Sequence, residues 1–215
     1  MKAIFFDLDG TLTDSGEGIM NCATAAFEHL KMEIPSRQAL RAFVGPPLSE
    51  TFAKFGVSPD KIQEAISAFR KHYTVTGKFE NFPYEGIPGL LKALQTAGYP
   101  LYVATSKPET MAKEIMEHFH LSSYFTLICG ATLDSSRATK EEVIAYLLQQ
   151  IGGAESPLMV GDTVYDVLGA AAHGIPTIGV SWGYGSENEM ISAGAVSIAH
   201  TPEELLKLIQ KGAVA

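Results

Sequence analysis

The sequence predicts an α/β fold, a doubly wound parallel sheet with a small all-helical domain inserted after the first strand. Five short apolar runs have the length and composition of buried parallel strands, and they lie at residues 3–6, 101–104, 158–160, 177–180 and, more weakly, 125–128. Segments with helical periodicity lie between these runs. Strands that alternate with helices in this way are typical of a doubly wound sheet.

The helical segments carry recognisable end signals. An apolar stripe at residues 90–97 is followed by Gly98, and another at residues 143–151 is followed by Gly152. Glycine is favoured just after the last turn of a helix, because it adopts the left-handed conformation without strain. Residues 201–204 form a capping-box pattern, which predicts the start of the last helix.

Residues 14–82 interrupt the alternation of strands and helices. This stretch has no strand-like run, and its apolar residues form two helical stripes at residues 19–30 and 62–73. We therefore predict an α/β core made of residues 1–13 and 83–215, with residues 14–82 forming a helical cap.

Composition and charge exclude several classes of function. The chain has 215 residues, 46% of them hydrophobic, which suits one core and a small second domain. Sixteen basic and 24 acidic residues give a net charge of −8, which argues against binding to a nucleic acid polymer or to an anionic membrane. No apolar stretch approaches the ~18 residues of a membrane span. We expect a cytoplasmic protein, monomeric or homodimeric.

Acidic and hydroxyl-bearing residues follow the predicted strands. Ligands of an open α/β sheet bind at the carboxyl ends of its strands. The residues at these ends are Asp7, Asp9, Gly10, Thr105, Ser106, Asp162 and Asp166. Lys140 lies near the start of the helix after the third strand in the chain. These segments are therefore expected to converge on one edge of the sheet.

The chemistry of these residue types favours phosphoryl transfer. Asp7, Asp9 and Asp162 would repel one another unless a cation lay among them, and Mg²⁺ is the natural ion for oxygen ligands. Thr105 can donate to a phosphoryl oxygen, and Lys140 adds positive charge. Asp7 can then act as a nucleophile that forms an aspartyl-phosphate, while Asp9 protonates the leaving oxygen and later activates water.

Lys140 has two interpretations at this stage. A cation at a helix N-terminus opposes the helix dipole by about 0.3–1 kcal/mol, so a bound phosphate would explain its position. A solvated lysine beside Glu141 and Glu142 is the alternative, and the position alone leaves both open.

Four segments resemble the motifs of the haloacid dehalogenase superfamily, in the order of that superfamily. Phe6-Asp7-Leu8-Asp9-Gly10-Thr11-Leu12 resembles motif I, and Ala104-Thr105-Ser106-Lys107-Pro108 resembles motif II. Lys140 fits motif III, and residues 161–166 fit motif IV. The helical insertion is similar to the cap of the branch that contains phosphoglycolate phosphatases and 5′-nucleotidases.

The resemblance implies a Mg²⁺-dependent phosphatase acting on a small phosphomonoester, with nucleoside monophosphates and phosphoglycolate favoured. It makes Asp7 the nucleophile and a metal ligand, and Asp9 the general acid and base, with its backbone carbonyl on the metal. It makes Asp162 the third ligand, while Asp166 orients metal-bound water or Lys140. The phosphoryl group is held, on the same resemblance, by Gly10, Thr105, Ser106 and Lys140.

Substrate contacts are expected from the cap. Residues 44–48 resemble the cap loop of that branch, so Gly45 and Pro46 are candidates, together with Arg70. A helix start at Pro46 and a solvated helix face at Arg70 are the alternatives.

Two other functions share parts of this pattern. A phosphosugar mutase of the same superfamily differs in the acceptor of the phosphoryl group. A signalling receiver module also gathers acids, a hydroxyl and a lysine, but it lacks an acid at the position of Asp9 and lacks a cap. Haloacid dehalogenases also lack that acid, and Lys54 is misplaced for the Schiff-base lysine of phosphonate hydrolases.

Two further features are predicted to be structural only. Gly183-Tyr184-Gly185 lacks the third glycine and the helix of a dinucleotide-binding loop, so it is expected to be a plain loop. Cys22 and Cys129 are expected to be small buried residues.

Overall fold

The computed structural model describes residues 2–134 and 136–212, and the chain forms two compact units. The sheet unit consists of Met1–Thr13 and Pro83–Ala215, and the helical unit consists of Asp14–Phe82.

A parallel sheet organises the sheet unit. The strands of the described residues, in chain order, are β1 (Ile4–Phe6), β2 (Thr13–Asp14), β3 (Phe82–Pro83), β4 (Leu101–Pro108), β5 (Leu127–Ala131), β6 (Leu158–Gly161), β7 (Thr177–Val180) and β8 (Ser197–Ala199). Six of them form one sheet in the order β5-β4-β1-β6-β7-β8, with parallel pairing throughout. β2 and β3 pair separately, where the chain passes between the units. The predicted fold class is confirmed.

Helices alternate with the strands of the sheet unit and make up most of the helical unit. In chain order they are α1 (Gly16–His29), α2 (Arg37–Leu40), α3 (Leu48–Lys54), α4 (Ile62–His72), α5 (Ile87–Thr96), α6 (Glu109–His118), α7 (Lys140–Gln150), α8 (Val164–Ala171), α9 (Glu187–Ser192) and α10 (Pro202–Gln210). Short 3₁₀ turns span Arg41–Phe43 and Ser122–Tyr124, and a π-helical segment spans Tyr73–Gly77.

The central strand is apolar on both faces. Ile4, Phe5 and Phe6 are completely buried, as expected for a parallel strand covered by helices on both sides. Phe5 belongs to a buried cluster with Val143 and Leu147 of α7. Pairing with β4 and β6 on either side sets the position at which the chain leaves β1.

The predicted helix ends are confirmed. Gly98 and Gly152 have φ angles of +84° and +68°, in the left-handed region that terminates helices. At the start of α10, the Thr201 hydroxyl accepts a hydrogen bond from the backbone N–H of Glu204 at 3.2 Å, and the Glu204 carboxylate accepts one from the N–H of His200 at 2.8 Å.

The weak strand prediction at residues 125–128 is wrong in position. The 3₁₀ turn at Ser122–Tyr124 ends with the N–H of Phe125 donating to the Ser122 carbonyl, and β5 begins only at Leu127. The apolar ring of Phe125 packs edge-on against Phe6 rather than within a strand. The sequence pattern does not predict β8, because a half-buried run of three residues carries little periodic signal.

The helical unit has an aromatic core of its own. Phe27, Phe43, Phe52 and Phe55 lie with ring centroids 4.8–6.2 Å apart, mostly in edge-to-face geometry. The two predicted helical stripes correspond to α1 and α4. Across residues 2–134 and 136–212, none of the helices has the length and apolarity that crossing a membrane would require.

Replacing Phe52 with alanine tests this aromatic core. Phe52 is completely buried, so Phe52→Ala is expected to lower the free energy of unfolding by about 3–5 kcal/mol. Val75→Ala is the control, because Val75 is 76% exposed and its loss is expected to change stability by less than about 0.5 kcal/mol. Urea unfolding measures both, and equal midpoints for the two variants would contradict the packing described.

Candidate active site

The ends of three neighbouring strands deliver the acidic residues to one place. β1 pairs in register with β4 and β6, so that Phe6 lies opposite Val103 and Val160. Asp7 follows β1 directly, and its backbone N–H donates to the carbonyl of Val160 at 2.9 Å. Asp162 follows β6 directly. The structure therefore brings these two predicted residues together.

Three buried carboxylates form an acid cluster at this edge of the sheet. Oxygens of Asp7, Asp162 and Asp166 all lie within 4.8 Å of one another. Asp162 and Asp166 are completely buried, and Asp7 is 8% exposed. Asp166, which is predicted only to orient metal-bound water or Lys140, is thus a member of the cluster itself. The side chain of Asp9 is not a member.

Lys140 lies against the acid cluster and is the first residue of α7. Its ammonium nitrogen is 2.7 Å from Asp7 Oδ1 and 2.8 Å from Asp166 Oδ1, and it donates to the carbonyl of Ala104 at 2.9 Å. Its side chain is only 4% exposed, so the solvated-surface interpretation is wrong. Two carboxylates explain a cation at a helix start, where the dipole alone would disfavour it.

Burial controls the ionisation of the cluster. Together with the negative charges of Asp166 and Asp7, it raises the pKa of Asp162 to about 8, although the hydrogen bonds from Tyr184 and Thr11 lower that pKa. Burial also raises the pKa of Asp7 to about 6, although the charge of Lys140 opposes this. Burial lowers the pKa of Lys140, but Asp166 and Asp7 outweigh it and raise that pKa above its ordinary value.

A loop after β7 surrounds Asp162. Asp162 Oδ1 accepts a hydrogen bond from the Thr11 hydroxyl at 3.0 Å, and Oδ2 accepts one from the backbone N–H of Tyr184 at 2.9 Å. A Cβ atom at Gly10 or Gly183 would fall against the Asp162 carboxylate. Residues 183–185 form a loop, as predicted, and Gly183 and Gly185 let its backbone pass close to Asp162.

Asp9 has a different cation as its partner. Asp9 Oδ2 lies 2.7 Å from the ammonium nitrogen of Lys107, and the two side chains are 13% and 6% exposed. The sequence pattern predicts no separate role for Lys107. The available signal was its position two residues after Thr105, on a strand whose end reaches the same edge of the sheet.

Thr163 supports Asp166 at the start of α8. Its backbone N–H and its hydroxyl donate to Asp166 Oδ2 at 3.0 and 2.9 Å, while Asp166 Oδ1 faces Lys140. Both carboxylate oxygens of Asp166 are thus engaged by neighbouring side chains or backbone. Asp166 therefore contacts Lys140 directly, and its role in orienting Lys140 or metal-bound water stays a prediction.

Of the predicted phosphate-binding residues, Gly10 lies beyond β1, Thr105 and Ser106 lie within β4, and Lys140 begins α7. Gly10 has a φ angle of +83° and turns the chain away from β1. Thr105 is buried in β4, where its hydroxyl accepts a hydrogen bond from the N–H of Lys107 at 3.2 Å, and Ser106 is partly exposed beside it. Their binding of phosphate stays a prediction.

The three candidate substrate contacts belong to the helical unit. Gly45 has a φ angle of +101° in the turn before α3, Pro46 is partly exposed in that turn, and Arg70 is an exposed residue of α4. Their contact with substrate also stays a prediction.

The charge of the acid cluster suits a divalent cation. With all three carboxylates ionised, Lys140 offsets one negative charge and two remain. Burial is the main cause of the raised pKa values of Asp7 and Asp162, and the charges of the neighbouring aspartates add to it. Oxygen ligands of this kind are those that hard divalent cations prefer, so the residues present fit such an ion.

Comparison with known proteins identifies the family. The family model of haloacid dehalogenase-like hydrolases matches residues 4–180. The chain is 45% identical over 189 residues to a 5′-nucleotidase of Pseudomonas aeruginosa, covering 87% of this chain and 86% of that protein. It is 42% identical over 207 residues to tyrosine-protein kinase PtkA of Mycobacterium tuberculosis, covering 95% of this chain and 71% of that protein.

A solved structure shows the same architecture. The crystal structure of "a predicted phosphatase from Clostridium acetobutylicum" matches with a TM-score of 0.93 and 40% identity, covering 98% of each chain. The chain belongs to the family of haloacid dehalogenase-like hydrolases. Within it the protein is a phosphoric monoester hydrolase, so the family and the enzyme class predicted from the four motifs are confirmed.

The loop around Asp162 is tested by adding one methyl group. Gly183→Ala would push a Cβ atom against Asp162, and such overpacking is expected to lower stability by about 1–3 kcal/mol. Gly89→Ala is the matched control, because a Cβ atom there meets open space in α5 and is expected to raise stability by about 0.4–1 kcal/mol. Urea midpoints that move in the same direction for both variants would show that the loop does not constrain Asp162.

Proposed function

We propose that this phosphatase is Mg²⁺-dependent and hydrolyses a small phosphomonoester through an aspartyl-phosphate on Asp7. The observation that carries the proposal is the acid cluster, in which Asp7 shares Lys140 with Asp166 and two negative charges remain. Such a site attracts a cation first and, with it, an anionic phosphate ester.

The metal ligands proposed are the carboxylates of Asp7 and Asp162 and the backbone carbonyl of Asp9. When bound, Mg²⁺ supplies the positive charge that lets an anionic carboxylate approach an anionic phosphate. Thr11 and the loop at Tyr184 support this assignment, because their hydrogen bonds orient the Asp162 carboxylate.

The reaction proposed has two displacements at phosphorus. A carboxylate oxygen of Asp7 forms a bond to phosphorus as the bond to the ester oxygen breaks, and Asp9 gives its proton to that leaving oxygen. A water molecule then attacks phosphorus, Asp9 takes its proton, and the bond to Asp7 breaks to release inorganic phosphate. Lys140, Thr105, Gly10 and the backbone of Ser106 are proposed to hold the phosphoryl oxygens.

The substrate class proposed is a nucleoside 5′-monophosphate, with phosphoglycolate as the alternative. The relative named 5′-nucleotidase supports the first choice, since it covers most of this chain at 45% identity. We propose Gly45, Pro46 and Arg70, all in the helical unit, as contacts of the ester.

A second candidate activity is phosphoryl transfer to a tyrosine. This candidate is supported by the 42% identity of the chain to a protein named tyrosine-protein kinase PtkA. The same residues would serve, because a phenolic hydroxyl would replace water as the acceptor and Asp9 would take its proton. A phosphosugar mutase differs in the same way, with a sugar hydroxyl as the acceptor.

Phosphate release from a panel of esters tests these proposals. The panel contains nucleoside monophosphates, phosphoglycolate, sugar phosphates and ATP with a tyrosine peptide. We expect Mg²⁺-dependent release from a nucleoside monophosphate, lost on chelation and restored by added Mg²⁺. Transfer of a labelled phosphoryl group from ATP to the tyrosine peptide, without release of inorganic phosphate, would favour the kinase. Conversion of a sugar phosphate into its isomer would favour the mutase. Equal release in chelator would contradict the metal requirement.

Two substitutions test the roles of the aspartates. Asp7→Asn is expected to abolish the phosphoenzyme. Asp9→Asn is expected to lower turnover by about 10²–10⁴-fold while Mg²⁺ affinity by calorimetry is largely kept, since the backbone carbonyl survives. Asp60→Asn, at an exposed position of the helical unit, is the control and is expected to leave both unchanged. Full activity of Asp9→Asn would refute its role as acid and base.

A further inference from the structure

The two carboxylate oxygens of Asp9 have unequal surroundings. Oδ2 is ion-paired with Lys107 at 2.7 Å, while Oδ1 is buried and accepts no hydrogen bond. A buried carboxylate oxygen without a partner is unfavourable, and it calls for an explanation such as a reacting group that it serves. Asp9 is thus held by one oxygen, and its other oxygen is left for another group.

A β-bulge in β4 aims Lys107 at Asp9. Thr105 pairs with Gly130 and Pro108 pairs with Ala131, so β4 advances three residues while β5 advances one. Bulges of this kind redirect side chains and are frequent beside active sites. The backbone N–H of Lys107 donates to the Thr105 hydroxyl at 3.2 Å, a hydrogen bond within the bulge.

The partner strand is built to accept this bulge. A Cβ atom at Gly130 would fall against the backbone carbonyl of Lys107, so only glycine fits there. Arg137 donates to the carbonyl of Gly130 at 2.7 Å and pairs with Glu109 at 2.8 Å. The guanidinium of Arg137 also lies 3.7 Å from the ring centroid of Tyr146. Lys107 is therefore presented by a backbone that is fixed on both strands.

We propose that Lys107 is a positioning residue, which holds Asp9 by Oδ2 so that Oδ1 meets the leaving oxygen of the ester and later the attacking water. This inference rests on the proposed function, since it requires Asp9 to move a proton. Lys107 acts through Asp9 and is not itself a ligand for the phosphoryl group.

The dependence of the rate on the leaving group tests the proposal. An alkoxide must be protonated as it leaves, whereas para-nitrophenolate is stable without a proton. In Lys107→Met, kcat/KM for an alkyl phosphomonoester is expected to fall at least about tenfold more than kcat/KM for para-nitrophenyl phosphate. Lys107→Arg keeps a cation at the same place and is expected to restore most of the difference.

Three controls separate this role from a structural one. Lys113→Met removes a lysine that is also ion-paired with a carboxylate, Glu109, but on an exposed helix face, and it should leave both rates unchanged. The urea midpoint of Lys107→Met reports whether it folds. If it does not, Gly130→Ala displaces the Lys107 backbone while keeping the lysine, and the same split between the two esters is expected.

Other results would overturn the proposal. An equal loss for both esters would assign Lys107 a structural role, and a raised KM with unchanged kcat would make it a substrate contact. Either result, with the wild type and Asp9→Asn behaving as proposed, refutes the positioning role alone. No phosphate release by the wild type from any ester would refute the proposed function, and the role of Lys107 with it.

Discussion

The placement of three carboxylates out of water is the constraint on which the site depends. Oxygens of Asp7, Asp162 and Asp166 lie within 4.8 Å of one another, and burial opposes the ionisation of Asp7 and Asp162. The pKa of Asp162 rises from an ordinary value of 3.8 to about 8, so between these values the folded chain keeps a proton that the unfolded chain has lost. Folding stability therefore decreases as the pH rises through that window. Such a cluster is poorly suited to stabilising a fold, and the cation site proposed above would relieve the repulsion among its carboxylates.

Regular elements hold this cluster with little room for adjustment. The in-register pairing of β1 with β6 sets the separation of Asp7 and Asp162, and the N–H of Asp7 is tied to β6 at 2.9 Å. Lys140 is presented by the first turn of α7, which is closed by a capping box between Thr139 and Glu142. Sites carried by strand ends and helix starts are more exactly placed than sites on long loops, and this suits a reaction that depends on alignment at phosphorus.

The sequence predicted the parts of the site whose residue type and position relative to a strand are both distinctive. Acids directly after apolar runs identified Asp7 and Asp162, and a cation at a helix start identified Lys140 as needing an explanation. The roles of Lys107 and of the Gly183 loop could not be found in this way. The direction of Lys107 depends on a bulge in β4 that packs against Gly130, a residue of another strand. The loop depends on backbone passing close to Asp162, 21 residues or more away in the chain, and no periodic pattern encodes such an approach. The late start of β5 had a similar cause, because the turn before it was decided by local hydrogen bonds rather than by hydrophobicity.

Two aspartates only two residues apart reach different surroundings, and this difference is what a two-step phosphoryl transfer needs. Asp7 lies 2.7 Å from Lys140 and Asp9 lies 2.7 Å from Lys107, and Gly10, at φ +83°, turns the chain immediately after Asp9. A nucleophilic carboxylate must stay charged and face phosphorus, whereas a general acid must give up a proton to the leaving oxygen and then take one from water. If one lysine served both carboxylates, moving a proton on one would alter the charge felt directly by the other. Separate lysines give each aspartate its own partner, so the same short segment can supply both a nucleophile and an acid.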